Sequence, residues 1–178
     1  MTDVVLPAAL SDALVDGLPS ASLREESIGA RLENLEGWGW HAVPSVQVGR
    51  RANDVIDYLL VGPGGVFAID LKDHSSSKVF VSDSVIIVDG KETHHLMNAR
   101  YKGEQATGVL TRETPWTVPV TPVLVLVSDT YVVKRLPEDV LVLRLCDVPN
   151  RFKGLPRIFS EEYADWIYDT ANTPATWH

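Results

Sequence analysis

The sequence predicts an α/β protein whose mixed β-sheet is covered by helices on both faces. Three observations carry this expectation. Helix-period and strand-length apolar segments follow one another in the order α, β, β, β, hairpin, α, β, β, α. "TPVLVLVS" is a continuous apolar run of strand length, the signature of a sheet interior. "VIDYLLV" and "GVFAIDLK" are two strand-like runs joined by Pro63-Gly64, a turn in which proline presets φ and glycine supplies positive φ.

Taken in order, residues 1–20 read as a flexible leader and residues 21–178 as a single domain. "SASLREESIGARLENL" places Leu23, Ile28, Leu32 and Leu35 on one helical face, with Ser22 as N-cap and Glu25 three residues on, as in a capping box. "EGWGW" ends that helix. "HAVPSVQV" reads as a strand and "GRRAND" as a polar loop before the two central strands. "KVFVSDSVIIVDG" reads as a hairpin turning at Ser82-Asp83-Ser84. "HLMNARYKGEQATGVLTRE" is a second helix, with Leu96, Met97, Tyr101 and Leu110 among its apolar positions. After "TPVLVLVS" come the strand "DVLVLRL" and a terminal helix, "SEEYADWIYDTA", capped by Ser160.

Composition narrows the setting. Hydrophobic residues are 45% and charged residues 22%, ordinary for a globular chain. The single cysteine, Cys146, excludes an intrachain disulfide and points to a reducing, cytoplasmic location. The N-terminus shows no basic region followed by an apolar run, and no stretch approaches the roughly 18 apolar residues of a membrane span. A formal net charge of −8 argues against tight nonspecific nucleic-acid binding, but only weakly against a nuclease, whose metal ions offset clustered carboxylates.

The central hairpin carries charges that buried strands do not normally tolerate. Folded about Pro63-Gly64, Val61 faces Val66, Leu59 faces Ala68 and Asp57 faces Asp70. Lys72 projects from the same face two residues on, while Tyr58, Leu60, Phe67, Ile69 and Leu71 form the other, largely apolar face. Two opposed carboxylates repel and demand compensation. A hard divalent cation held by carboxylate oxygens supplies it, and Lys72 then stands ready to orient a water or stabilise charge on a phosphate. The competing reading is a structural ion pair, with Lys72 neutralising one aspartate. A one-residue bulge would instead turn Asp57 to the opposite face.

This pattern, an Asp, a hairpin, then Asp-x-Lys, resembles the restriction-endonuclease-like PD-(D/E)xK nucleases. The wider text resembles the nuclease-related domain family, through "EESIGARLENL", "VIDYLLVGPGGVFAIDLKDH", "YKGEQATGVL", "VPVTPVLVLVS" and "ANTPATW" in that order, roughly residues 22–177. The central block is specific and the flanking matches are weak one by one. The resemblance implies a three-layer α/β/α restriction-endonuclease-like fold with a central mixed β-sheet. It implies a metal-dependent nuclease acting on DNA, RNA not being excluded, with Mg²⁺ or Mn²⁺ as cofactor and a homodimer among the expected assemblies.

Carried over by position, Asp57 matches the metal-binding aspartate, Asp70 and Lys72 the (D/E)xK pair, and Glu25 the first-helix glutamate. The Leu71 carbonyl is an expected further metal ligand, and the second helix offers Lys102, Glu104 or Gln105 near the site. Departures are Tyr58, where the family often has His, and "SLREE", which lacks the glycines usual before the glutamate.

Other residues have plain readings beside functional ones. Glu25 serves equally as the capping-box residue of Ser22, and Glu26 faces solvent. Arg50 and Arg51 are loop cations within reach of a phosphate backbone, or simply solvated; Lys102 and Gln105 are further candidates for nucleic-acid contact. His94 and His95 read as surface or capping residues, and His74 as a neighbour of the site. Cys146 has no partner for nucleophilic chemistry, and Trp116, Trp166 and Trp177 read as packing anchors. The alternative function is a catalytically inactive nuclease-fold module that binds nucleic acid or a protein. Its support is the −8 charge and the unusual first-helix motif.

Overall fold

The structure is a computed structural model and describes residues 28–178. The Ser22 cap, Glu25, Glu26 and the leader therefore lie outside the described residues. Helical residues 28–33 form the described part of α1. A 3₁₀ turn, Glu36–Trp38, follows and closes on Gly39 at φ 85°, a left-handed position suited to glycine.

Five strands make the main sheet, in the order β1-β2-β3-β7-β9. β1 (His41–Gln47) and β3 (Gly65–Asp73) each pair antiparallel with β2 (Val55–Gly62), which lies between them. β7 (Val120–Val127) and β9 (Leu141–Arg144) add in parallel. Between β3 and β7 the chain forms α2 (His95–Glu113), with the bounds expected from sequence. α3 (Val148–Lys153) and α4 (Glu161–Ala171) follow β9. Ser160 caps α4 as expected, its Oγ accepting from the Tyr163 N–H at 3.2 Å.

The sequence does not lead one to expect a second sheet. β4 (Lys78–Val81), β5 (Ile86–Val88), β6 (Lys91–Glu92) and β8 (Thr130–Val133) form it in the order β6-β5-β4-β8. The β4–β5 hairpin turns at Ser82–Val85, as its polar residues suggest. β8 is hidden from a sequence reading because it is four residues long, mostly exposed, and paired in parallel with β4, some fifty residues earlier. Such pairing leaves no local alternation to read. The short α3 was also not expected.

The main sheet is apolar on both faces. Leu59, Val61, Val66 and Ala68 pack against Ala106 and Leu110 of α2 and Ile167 and Ala171 of α4. Leu60, Phe67 and Ile69 pack against Ile28 and Leu32 of α1 and Phe152 of α3. These are the two faces the hairpin register predicts. A third cluster joins Val79, Val81 and Ile86 of the second sheet to Leu96 and Ala99 of α2 and Leu124 and Leu126 of β7. This is an α/β fold of mixed sheets and helices, consistent with the restriction-endonuclease-like class. Among the described residues, no helix is long and apolar enough to cross a membrane.

Candidate active site

The hairpin register agrees with the one read from the sequence. Val61 pairs with Val66, Leu59 with Ala68 and Tyr58 with Ile69. The ladder then stops one step short of Asp57 and Asp70, where side chains take over from backbone. The Leu71 N–H donates to Asp57 Oδ2 at 2.8 Å, and the Asp57 N–H points at Asp70 Oδ1 at 3.4 Å. On the other side of β2, pairing with β1 also skips Asp57: Tyr58 pairs with Pro44 and Ile56 with Val46, leaving Ser45 between them at φ 53°.

Alternation fails at the same place. Val43 and Val46 of β1 line one core although three residues apart, and so do Ile56 and Leu59 of β2. A regular strand would send each pair to opposite faces. The distortion therefore sits at Ser45 and Asp57, beside the point where the β2–β3 ladder ends and the two aspartates meet.

Asp70 is only 3% exposed. Its backbone lies in the parallel ladder opposite Leu124 of β7, so its position is set by the sheet interior. Lys102 of α2, 6% exposed, places Nζ 2.6 Å from Asp70 Oδ2. The helix comes this close because residue 103 is glycine: a Cβ there would stand 3.1 Å from Pro122 and 3.3 Å from the Val120 carbonyl.

The structural ion pair weighed from sequence thus exists, but its cation is Lys102, not Lys72. Lys102 reaches inward to a carboxylate, which leaves it unavailable as a surface contact to nucleic acid. The sequence does carry a signal for it. Leu96, Ala99, Gly103, Ala106 and Leu110 form the buried stripe of α2, and Lys102 falls within that stripe.

Asp57 is half-buried, and its carboxyl is held above the usual carboxylate range. Burial is the main cause; the Leu71 N–H opposes it, the charge of Asp70 adds to it, and Lys72 and Lys102 oppose it. The charged form of Asp57 is therefore disfavoured even with both lysines nearby. Lys72, also half-buried, follows Asp70 on β3.

Beyond Lys72, His74 and His95 stack with ring centroids 5.1 Å apart and Nε2 atoms 2.9 Å apart. Burial, then the charges of Lys72, His74 and His94, push His95 down to about 4. His74 is lowered too, mainly by burial. The sequence reading of His95 as a surface or capping residue is corrected: it is half-buried in this pair at the start of α2.

The remaining candidates scatter. Arg50 is exposed. Arg51 is held by Asp54 at 3.2 Å and lies 5.3 Å from the centre of the Tyr101 ring. Asp54 is buried beneath its loop, accepting from the Arg51 N–H and Nε. Gly49 makes room for it, since a Cβ there would lie 2.4 Å from Asp54 Oδ2. Together Arg51, Asp54, Asn98, Tyr101 and Lys102 line a cavity of about 220 Å³. Gln105 is half-buried and Glu104 exposed. Cys146 is an exposed free thiol. The Tyr58 hydroxyl lies against Gly29 of α1, where a Cβ would stand 3.0 Å from it.

An antiparallel hairpin extended by a parallel strand, with Asp57, Asp70 and Lys72 where the hairpin ladder stops, sits in an α/β fold of mixed sheets and helices. The model of the nuclease-related domain family matches residues 20–127, more than half of the chain, and the chain belongs to that family. No curated protein and no solved structure matches it.

Proposed function

We propose that the protein is a metal-dependent phosphodiesterase acting on DNA, with Asp57, Asp70 and Lys72 as its reacting constellation. One observation carries this reading: two carboxylates meet where the β2–β3 ladder stops, the Asp57 N–H lying 3.4 Å from Asp70 Oδ1 and the Leu71 N–H donating to Asp57 Oδ2 at 2.8 Å. The donors suit a hard ion such as Mg²⁺ or Mn²⁺. Asp57 and Asp70 offer carboxylate oxygens and Leu71 its carbonyl, all at the opened end of the hairpin.

Among the described residues, no group of three His, Cys, Asp or Glu could hold a metal. A two-carboxylate site of this kind completes its coordination with water and substrate phosphate, as Mg²⁺ sites commonly do. The ion, when bound, would polarise the phosphate and lower the proton affinity of a water. Lys72 orients that water or stabilises the charge developing on the phosphate. Lys102 fixes the Asp70 carboxylate, and the Leu71 N–H fixes that of Asp57. Glu25 is proposed to act through water.

A second reading, a non-cleaving module of the same fold, draws on the Lys102–Asp70 contact of 2.6 Å. A cation already sits on one carboxylate, as in a site that has no need of metal. Plasmid and oligonucleotide cleavage with Mg²⁺ or Mn²⁺ and an EDTA control, beside Mn²⁺ binding to the wild type and Asp70→Ala, separates the two. Cleavage that EDTA stops and Asp70→Ala abolishes is expected. No cleavage by pure protein, with no Mn²⁺ binding sensitive to Asp70→Ala, would sink the enzyme reading.

A further inference from the structure

The end of the sheet away from the aspartates carries a surface of a different kind. Both the Ile158 and Phe159 N–H groups donate to the Pro63 carbonyl, at 2.8 and 3.0 Å, which ties the segment before α4 to the β2–β3 turn. Five residues of β3 separate this turn from Asp70, about 16 Å of strand.

Here Trp116 is the centre of an aromatic corner. Tyr163 meets it edge-on at 4.5 Å and Trp166 at 4.9 Å, while Phe159 packs on Tyr163 at 4.6 Å. The rings line a cavity of about 520 Å³ together with Ile158 and Glu162. Trp166 is 50% and Ile158 64% exposed, so the corner is open to solvent. The sequence reading of Trp116 and Trp166 as packing anchors describes only one side of each ring.

A second cavity, of about 630 Å³, continues the first along α4 and shares Glu162 and Trp166 with it. Its other walls include Asp165, Asp169 and Thr173. No Lys or Arg among the described residues lines either cavity, and α4 itself contains none. From Glu162 to Thr170 the groove spans about 12 Å of helix, the reach of about four extended residues, and Thr173 lies just past the helix end. Exposed tryptophan faces bordered by carboxylates attract organic cations. The same carboxylates repel phosphate.

We propose that this groove docks a basic, extended segment of a partner protein, seating Lys or Arg side chains over Trp116 and Trp166 and pairing them with Glu162, Asp165 and Asp169. The continuity of the aromatic and acidic cavities favours a segment over a small cation, which would fill only the first. The groove is separate from Asp57 and Asp70 and does not depend on their chemistry.

Tryptophan-fluorescence titration of the whole protein with an acetylated, amidated Arg-Ala-Arg-Ala-Arg-Ala peptide tests this. A peptide with Glu in place of Arg and free arginine methyl ester serve as the other arms. Saturable binding of the Arg peptide is expected, weakened by added salt and not shared by the Glu peptide. Trp166→Ala and the double variant Glu162→Gln/Asp165→Asn should each weaken it about tenfold. The double variant keeps every tryptophan and guards against a folding defect in the first. Metal-dependent cleavage, where present, should be unchanged in both.

Absence of saturable binding, equal binding of the Glu peptide, or undiminished binding by both variants would overturn the proposal. Arginine methyl ester binding as tightly as the peptide would replace it with a small-cation pocket. Sedimentation showing a dimer that Trp166→Ala dissociates would assign the groove to a second copy of the chain.

Discussion

The β2–β3 hairpin has a quiet end and a costly one. At the turn, Gly62 pairs with Gly65 and Val61 with Val66 in an unbroken ladder, and Gly65 takes φ 130°. Backbone bonds tie Ile158 and Phe159 to Pro63 there, and Trp40 packs tilted or edge-on against Phe67 and Phe152. At the open end, one strand-length away, carboxylates replace ladder partners, a lysine is buried and one acid holds its proton unusually tightly. The difference teaches that the buried charges gather where the β2–β3 ladder stops. The regular end fixes the register, and the register brings the charged residues together at the irregular end.

The largest effect should come from unbalancing the open end. Lys102→Met leaves the Asp70 carboxylate buried without its cation and should cost about 3–5 kcal/mol in urea unfolding of the metal-free protein. The double variant Lys102→Met/Asp70→Asn should recover much of that loss, because no unpaired charge remains. A loss below about 1 kcal/mol in the single variant would mean that water screens the pair. The two ends would then differ far less than their contacts suggest.

The quiet end breaks by sterics instead. A Cβ on Gly62 would stand 2.4 Å from Trp40 ring atoms, inside van der Waals contact. Gly62→Ala should cost about 1–3 kcal/mol. That loss should be insensitive to pH and to Mn²⁺, unlike any loss at the open end. A metal-dependent change would show that the two ends are coupled through the strands.

The two ends also differed in how legible they were. The turn chemistry of Pro63-Gly64 and the apolar faces allowed the register to be read correctly, and α2 was recovered to the residue. What the register did not reveal is that the ladder gives way at Asp57. That depends on Ser45 at positive φ in the neighbouring strand, which no local pattern announces. Lys102 was recognised as a candidate on the right helix, but its partner lies 32 residues earlier in the chain, and only the packing of Gly103 against β7 brings them together. β8 was missed for a related reason: its pairing with β4 is nonlocal and its residues are mostly exposed. The first-helix glutamate lies outside the described residues, so its place in the site rests on the resemblance alone.

Asp57→Asn should act in the opposite direction to Lys102→Met. The folded protein holds the Asp57 proton more tightly than the unfolded chain does, so this group's contribution falls as pH rises above the unfolded value near 3.8. At neutral pH the metal-free variant should be more stable than wild type, by up to about 1 kcal/mol or roughly 2–4 °C in Tm. The gain should vanish in acid, where Asp57 is protonated in both states, and shrink when Mn²⁺ stabilises only the wild type. A clear drop in Tm at neutral pH would show that the Asp57 charge, received by the Leu71 N–H, is favourable as it stands.

The smallest effect at neutral pH belongs to His95, and it sharpens the comparison at the edge of the costly end. Its folded value of about 4 lies below the ordinary 6.5, so the folded protein binds fewer protons than the unfolded chain between the two. Its contribution is therefore intact above 6.5 and is lost as pH falls toward 4. His95→Gln keeps a group able to hydrogen-bond His74 but removes the titration. The variant should match the wild-type Tm within about 2 °C at pH 7.5 and then fall less steeply on acidification. An unchanged slope would place the acid sensitivity of this region in His74, whose proton affinity burial also lowers. Either slope, compared with that of Gly62→Ala, measures how far the electrostatic strain of the open end extends past Lys72.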